Sequence, residues 1–286
     1  MFKNFQRKSP GEIILHCFVS LIFLAGAASY LYIFIWAVLA GFKTHTEVVL
    51  FPYDLPTVWH WENYIDVFTL LEVNGNNFWD MLFNSVWFSV VCVGAQQLTT
   101  VTFAYCCSKY TFPGSKLVYP IILVMITLPL YGNSGAMYTL LKTLGLIDSY
   151  AQVITSMNAF TMFYLYYTAY FKNLSWTYAE AAMIDGANDF QIYFRVMLPQ
   201  AGPIFGALFL TQWISIWNSY DSALIYLPNT PTLPVGIYQF NTEMIYRARL
   251  DILFAACVSI SIPAIILFTV FNKVITSNVS LGGIKG

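Results

Sequence analysis

The chain has 286 residues, 58% of them hydrophobic and 9% charged, with a formal net charge of −1. Soluble domains carry about 25% charged residues, and a water-soluble fold of this length cannot hide so much apolar surface. The composition therefore assigns a polytopic, all-α membrane protein seated in a lipid bilayer. The near-neutral charge gives no electrostatic case for nucleic acid.

Lys3, Arg7 and Lys8 precede an apolar run, and "AGA" at 25–27 imitates a signal-cleavage site. The run continues to about Leu39, too long for a cleaved signal, so a retained first spanning helix is expected over 13–42. Further stretches at 78–107, 117–140, 150–171, 203–227 and 252–275 complete six candidate spans, each near the roughly 20 residues a bilayer requires. Pro129, Gly132 and Gly135 interrupt the third. Such breakers are tolerated at depth only where protein or a cavity surrounds them.

Orientation follows from Lys and Arg in the short loops. With the N-terminus in the cytoplasm, Lys3, Arg7, Lys8, Lys109, Lys116, Lys172, Arg195, Lys273 and Lys285 fall inside, and Lys43, Lys142, Arg247 and Arg249 outside. This asymmetry places both termini in the cytoplasm. The first outer loop, 43–77, carries Glu47, Asp54, Glu62, Asp66 and Glu72 against Lys43 alone. A single membrane domain is expected over 1–286 with no separate soluble domain visible, and no phosphate-binding loop of the GxxxxGK[ST] type occurs. Energy from ATP would enter through another chain.

Between the fourth and fifth spans lies a polar stretch, "EAAMIDGANDFQIYFRVMLP" at 180–199. It reads as two short helices over 177–199. Thr177 with Glu180 fits a capping box, Ala181 and Ala182 favour helix, and Gly186 can take the left-handed conformation that ends one. Asn188 or Asp189 can cap the second helix, Phe190 and Phe194 share its face, and Pro199 and Pro203 are expected to stop it. Helix chemistry alone leaves two readings open: an amphipathic pair lying on the membrane, or a docking element.

The stretch resembles the EAA loop of ABC-importer permeases, roughly EAAxxDGAxxxQxFxxxxLPxxxP. The match runs through Glu180, Ala181, Ala182, Asp185, Gly186, Ala187, Gln191, Leu198, Pro199 and Pro203, with Tyr193 where the pattern usually has Phe. "WHWENY" at 59–64, "KTLGLIDSYAQVI" at 142–154, "SIWNSY" at 215–220, "TLPVGI" at 232–237 and the tail "SLGGIKG" are similar to the MalG-like carbohydrate importers. The resemblance implies a six-helix permease of the bacterial inner or plasma membrane. It would pair with a second homologous permease and two ATPase subunits, which bind ATP and Mg, and receive solute from an extracellular or periplasmic solute-binding protein. No cofactor is expected in this chain. Glu180, Ala181, Ala182, Asp185, Gly186 and Ala187 would then form the contact with the ATPase, Phe190 and Phe194 would pack on the permease's own helices, and the outer segment 228–250 would reach toward the binding protein or serve as a plain connector.

Polar residues inside a membrane are costly, about 2.5–3.5 kcal/mol for an Asp at a helix centre. In the fifth span Trp217, Asn218 and Asp221 have the spacing of one helix side, and an aromatic plane beside hydrogen-bonding groups suits a sugar. The resembling family usually has an acid directly after Trp-Asn, where this chain has Ser219. Asn84, Gln96 and Gln97 of the second span are further pathway candidates. For all of these, interhelical polar glue is the competing reading.

The five cysteines, Cys17, Cys92, Cys106, Cys107 and Cys257, lie in or beside apolar runs without metal-ligand spacing, and the three histidines are dispersed. No metal site and no convergent catalytic set follow, which disfavours an intramembrane enzyme. A permease for another solute, such as a polyol, glycerol phosphate or amino sugar, is the nearer alternative to a sugar importer.

Overall fold

The computed structural model describes residues 10–128 and 134–279. Among these the secondary structure is helical: α1 (Pro10–Gly41), α2 (His45–Leu50), α3 (Glu62–Leu70), α4 (Phe78–Lys109), α5 (Ser115–Thr127), α6 (Ser134–Thr143), a 3-10 stretch (Tyr150–Ser156), α7 (Met162–Asn173), α8 (Thr177–Ile184), α9 (Asp189–Gln191), a π-helical stretch (Ile192–Met197), α10 (Leu198–Gln200), α11 (Gly202–Asn218), α12 (Asp221–Tyr226), α13 (Leu233–Tyr246) and α14 (Leu250–Val279). An isolated bridge between Val73 and Asn76 is the one β-type pairing described.

The first, second and sixth expected spans correspond to α1, α4 and α14. Asn77 caps α4 and shares a capping box with Asp80, so this helix begins where the sequence places it. The others depart from continuous helices. The third divides into α5 and α6, with Gly135 inside α6, while Pro129 and Gly132 lie outside the described residues. The fourth holds only 12 α-helical residues, in α7, about 18 Å of rise against a hydrocarbon core of about 30 Å. Its first half fails as α-helix because side chains compete for the backbone. Thr155 and Ser156 donate to the carbonyls three residues back at 2.7 and 2.6 Å, and Asn158 accepts from the Phe160 N–H at 2.8 Å. The fifth span breaks at Ser219 and Tyr220, between α11 and α12.

The chain forms two compact units, 10–70 with 240–261, and 71–239 with 262–279. In the first, Trp36 meets Phe254 edge to face at 4.9 Å. The Asn63 amide donates to the carbonyls of Gly41 and Lys43 at 3.0 and 2.9 Å, and the buried Lys43 ammonium donates to Phe51 O and Pro52 O at 2.8 and 3.2 Å. The α1 surface is apolar and exposed over most of its length, as suits lipid or a partner helix rather than water.

The second unit is organised on α4, which packs against α7, α11 and the 3-10 stretch. One end of α4 carries a buried cluster of Val101, Ala104 and Tyr105 with Tyr164, Tyr167 and Phe171 of α7, Ala179 of α8, and Ile192, Tyr193 and Met197 of the π-helical stretch. Elsewhere Gly236 of α13 sits so close to Met81 that a Cβ would lie 2.8 Å from its sulfur, so a larger residue there would displace the end of the Met81 side chain.

Candidate functional site

The polar stretch folds as two short helices, but its first cap differs from expectation. Helical dihedrals begin at Trp176, φ −74° and ψ −17°, so Thr177 is already inside α8 and caps nothing. Ser175 takes over locally: its hydroxyl accepts from the Thr177 N–H at 3.2 Å and hydrogen-bonds the Thr177 hydroxyl at 2.9 Å. Glu180 is therefore released from a capping box. It is exposed in the first turn of α8, where a carboxylate complements the helix dipole, and among the described residues its side chain has no hydrogen-bond or ion-pair partner.

The end of α8 follows the sequence. Gly186 has φ +79°; its N–H donates to Met183 O at 3.0 Å and the Ala187 N–H donates to Ala182 O at 2.9 Å, the two bonds of a Schellman motif. Asn188 then caps α9: its side chain accepts from the Gln191 N–H at 2.9 Å while the Gln191 side chain accepts from the Asn188 N–H at 3.0 Å. Pro199 and Pro203 do not stop the second helix. They occupy first-turn positions of α10 and α11, where a missing N–H costs nothing, and one turn at Ala201 bends the path.

The segment is anchored on one side only. Tyr193 lies 4.9 Å from Tyr105, ring to ring, and its hydroxyl meets that of Thr102 at 2.6 Å. The Tyr110 hydroxyl donates to Asp189 at 3.2 Å, and Lys109 donates to Leu174 O at 2.6 Å. Ala182 and Ala187 pack against the cluster, while Ala181 and Asp185 face away with Glu180. Phe190 and Phe194, expected against the chain's own helices, are instead 77% and 58% exposed, and Ile184 is 87% exposed. The buried stripe goes instead to Ile192, Tyr193 and Met197 of the π-helical stretch.

The pathway candidates separate. Asp221 opens α12, beyond the break after α11, so the one-helix cluster with Trp217 and Asn218 does not form. Asn218 donates back to Ile214 O at 2.7 Å, and Ser219 turns extended, a side chain displacing the helix's continuation. Trp217 is buried and stacked on Trp213 at 4.8 Å and 28°, so that ring face is already covered. Asn84 donates to Pro231 O at 3.1 Å. The cavities beside Asn84 and Trp217 are each about 10 Å³, room for about one water and none for a sugar. Asn218 and Asp221 are exposed.

Gln96 belongs to a chain of amides. The Tyr167 hydroxyl donates to Gln97 Oε1 at 2.7 Å, Gln97 Nε2 donates to Gln212 Oε1 at 2.7 Å, and Gln212 Nε2 donates to Gln96 Oε1. These bonds join α4, α7 and α11. Gln212 and Tyr167 were missed in the sequence because nothing local marks their partners; a glutamine in an apolar run is the available signal. Asp148, inside "KTLGLIDSY", was missed as well. Its carboxylate accepts from the Asn229 N–H and side-chain amide at 3.0 and 2.6 Å and from Thr230 at 3.3 Å, pinning the 226–230 turn.

Among the described residues the chain is helical, with an exposed polar helix pair set between apolar helices. Residues 100–281 match the family described as "Binding-protein-dependent transport system inner membrane component", and the chain belongs to that family. It is 30% identical over 254 residues to the diacetylchitobiose uptake system permease of Streptomyces coelicolor, covering 87% of this chain and 82% of the relative. It is 27% identical over 285 residues to the arabinooligosaccharides transport system permease of Bacillus subtilis, covering 98% and 99%. The fold is that of a chain in the crystal structure of a bacterial ABC transporter involved in the import of the acidic polysaccharide alginate, with a TM-score of 0.73, 24% identity and coverage of 93% and 98%.

Proposed function

We propose that this chain is the permease subunit of an ABC importer for a sugar or oligosaccharide. It crosses the membrane six times with both termini in the cytoplasm, pairs with a second permease, and receives solute from an external binding protein. The relatives named for oligosaccharide transport support the substrate class. The observation that carries the coupling mechanism is the projecting pair α8 and α9: an unpartnered Glu180, a low profile at Ala181 and an exposed apolar tip at Ile184 and Phe190, rooted in a buried cluster at the ends of α4 and α7. Separate ATPase subunits, holding ATP and Mg, would grip this pair, and their closure would move α4, α7 and α11 as a body tied by the glutamine chain. Such rigid-body switching gives alternating access without bond chemistry in this chain. Asn218 and Asp221, exposed at the α11–α12 break, are the candidates to meet solute where the two permeases join, with Gln96 behind them and Asn84 as an anchor. The test is uptake by proteoliposomes holding the permease pair, the ATPases and the binding protein. ATP-dependent uptake of an oligosaccharide is expected; import of only a polyol, glycerol phosphate or amino sugar would replace the substrate class, and ATP-independent uptake would overturn the mechanism.

A further inference from the structure

Beside the root of the polar helix pair lies a cavity of about 410 Å³ formed where α4 ends, α5 begins and α7 ends, a size within the range of small-molecule sites. Three cations line it: Lys109 of α4, Lys116 of α5 and Lys172 of α7. No carboxylate is among the lining residues, and among the described residues none of the three ammoniums has an ion-pair partner. Lys109 is held by the Leu174 carbonyl and lies 5.9 Å from the Trp176 ring; Lys172 lies 5.2 Å from the Tyr119 ring. Asp189, an acid next to the lining residue Tyr110, is engaged by the Tyr110 hydroxyl.

The polar groups of the wall favour an anion too. Ser108 and Thr168 line the cavity, and among the described residues neither hydroxyl oxygen makes a hydrogen bond of ordinary geometry, the Thr168 hydroxyl lying beside that of Tyr164 but beyond a well-formed bond; Thr168 is only 3% exposed. A buried hydroxyl left unmatched costs about 1–3 kcal/mol, and an acceptor oxygen would satisfy it. α5 starts after Gly114 with no side-chain cap; the Ser115 and Leu117 N–H groups donate to Phe112 O and Gly114 O, and the positive end of the helix dipole lies at Ser115 and Lys116, which line the cavity.

We propose that this cavity binds a phosphate-bearing anion, with Lys109, Lys116 and Lys172 supplying the charge and Ser108 and Thr168 the hydrogen bonds. The phosphate is either the headgroup of an anionic phospholipid of the adjacent leaflet or free inorganic phosphate. Basic pockets between membrane helices on a cytoplasmic face are built for such headgroups; the cytoplasmic placement rests on the coupling reading, whereas the chemistry of the pocket does not. Because α8 is reached from Lys109 through Leu174 and Trp176, a bound anion would stiffen the root of the helix pair.

The test uses the assembled, delipidated transporter in detergent, with thermal unfolding as readout, so its outcome is independent of transport. The probes are dioctanoyl phosphatidylglycerol, dioctanoyl phosphatidylcholine as the net-neutral control, and inorganic phosphate at constant ionic strength. A saturable rise of the midpoint with phosphatidylglycerol or with phosphate is expected, and whichever acts identifies the source. Lys116→Gln with Lys172→Gln, both at exposed positions, should weaken the apparent affinity about twenty-five-fold, roughly fivefold per lysine. Thr168→Val removes an unmatched hydroxyl; it should leave the ligand-free midpoint unchanged or higher and yet weaken binding about fivefold. If the double variant fails to assemble, Thr168→Val carries the test. No saturable rise with either anion, an equal rise with phosphatidylcholine, or full affinity in the variants overturns the proposal.

Discussion

Gly186 is the residue on which the geometry of the polar helix pair turns. At φ +79° with open space around it, it is required by its backbone and not by packing. A β-branched side chain there costs about 1–2 kcal/mol, whereas Asn tolerates the left-handed region. Gly186→Val should therefore cut uptake severely in proteoliposomes while size-exclusion chromatography still finds an intact permease pair, and Gly186→Asn should retain most of the uptake. Equal loss in both would argue against a backbone role. Glu47 makes a second prediction at this scale. Its carboxylate accepts from the Thr57 hydroxyl and from the N–H groups of Thr44 and Thr57, and these bonds lower its pKa from 4.5 to about 2, the Thr57 side chain contributing most. A folded-state pKa below the unfolded one gives stability that is complete above the unfolded value and lost as pH falls through the folded one. The difference in unfolding midpoint between wild type and Glu47→Gln should be largest above pH 4.5 and vanish as pH approaches 2. A pH-independent difference would contradict the assignment.

Among the elements, α4 was legible from end to end, since an apolar run closed by Asn77 and Asp80 at one side and by Lys109 at the other leaves little choice. The α8–Gly186–α9 turn was legible because Gly and Asn act locally. The two halves of the fourth and fifth predicted spans were not. Hydropathy counts apolar residues, but Thr155, Ser156, Asn158 and Asn218 draw backbone groups to their own side chains, and hydropathy does not register that competition. The same limit hid the glutamine chain: Gln97 and Gln212 stand 115 residues apart, and no local pattern reveals such a partner. Gln212→Leu strands an amide on each side and should destabilise the α4–α11 contact by about 0.6–1.7 kcal/mol. The double variant Gln97→Leu with Gln212→Leu should lose less than the sum of the two single losses, because neither amide of the pair is then left stranded, although the Tyr167 hydroxyl and the Gln96 amide are. Thermal unfolding of the four forms checks this, and strictly additive losses would contradict a coupled pair.

For the whole molecule, composition and the motif at 180–199 carried the class, and family membership agrees with it. What the structure adds is a division of labour within one segment. Ala179, Ile192, Tyr193 and Met197 fasten it, and Glu180, Ala181, Ile184, Asp185 and Phe190 are left outward. Among the outward residues Ile184 is 87% and Phe190 77% exposed, apolar surface that a docked partner would cover. The most direct measurement is co-purification of the ATPase subunits with the permease pair carrying Ile184→Asp or Glu180→Lys, followed by binding-protein-stimulated ATP hydrolysis. Neither side chain is buried in the chain's own core, so folding and permease pairing should be unchanged, while the ATPase subunits dissociate and stimulated hydrolysis falls at least about tenfold, as expected for loss of more than about 1.4 kcal/mol at a docking contact. Normal co-purification and normal stimulated hydrolysis in both variants would contradict the coupling assignment.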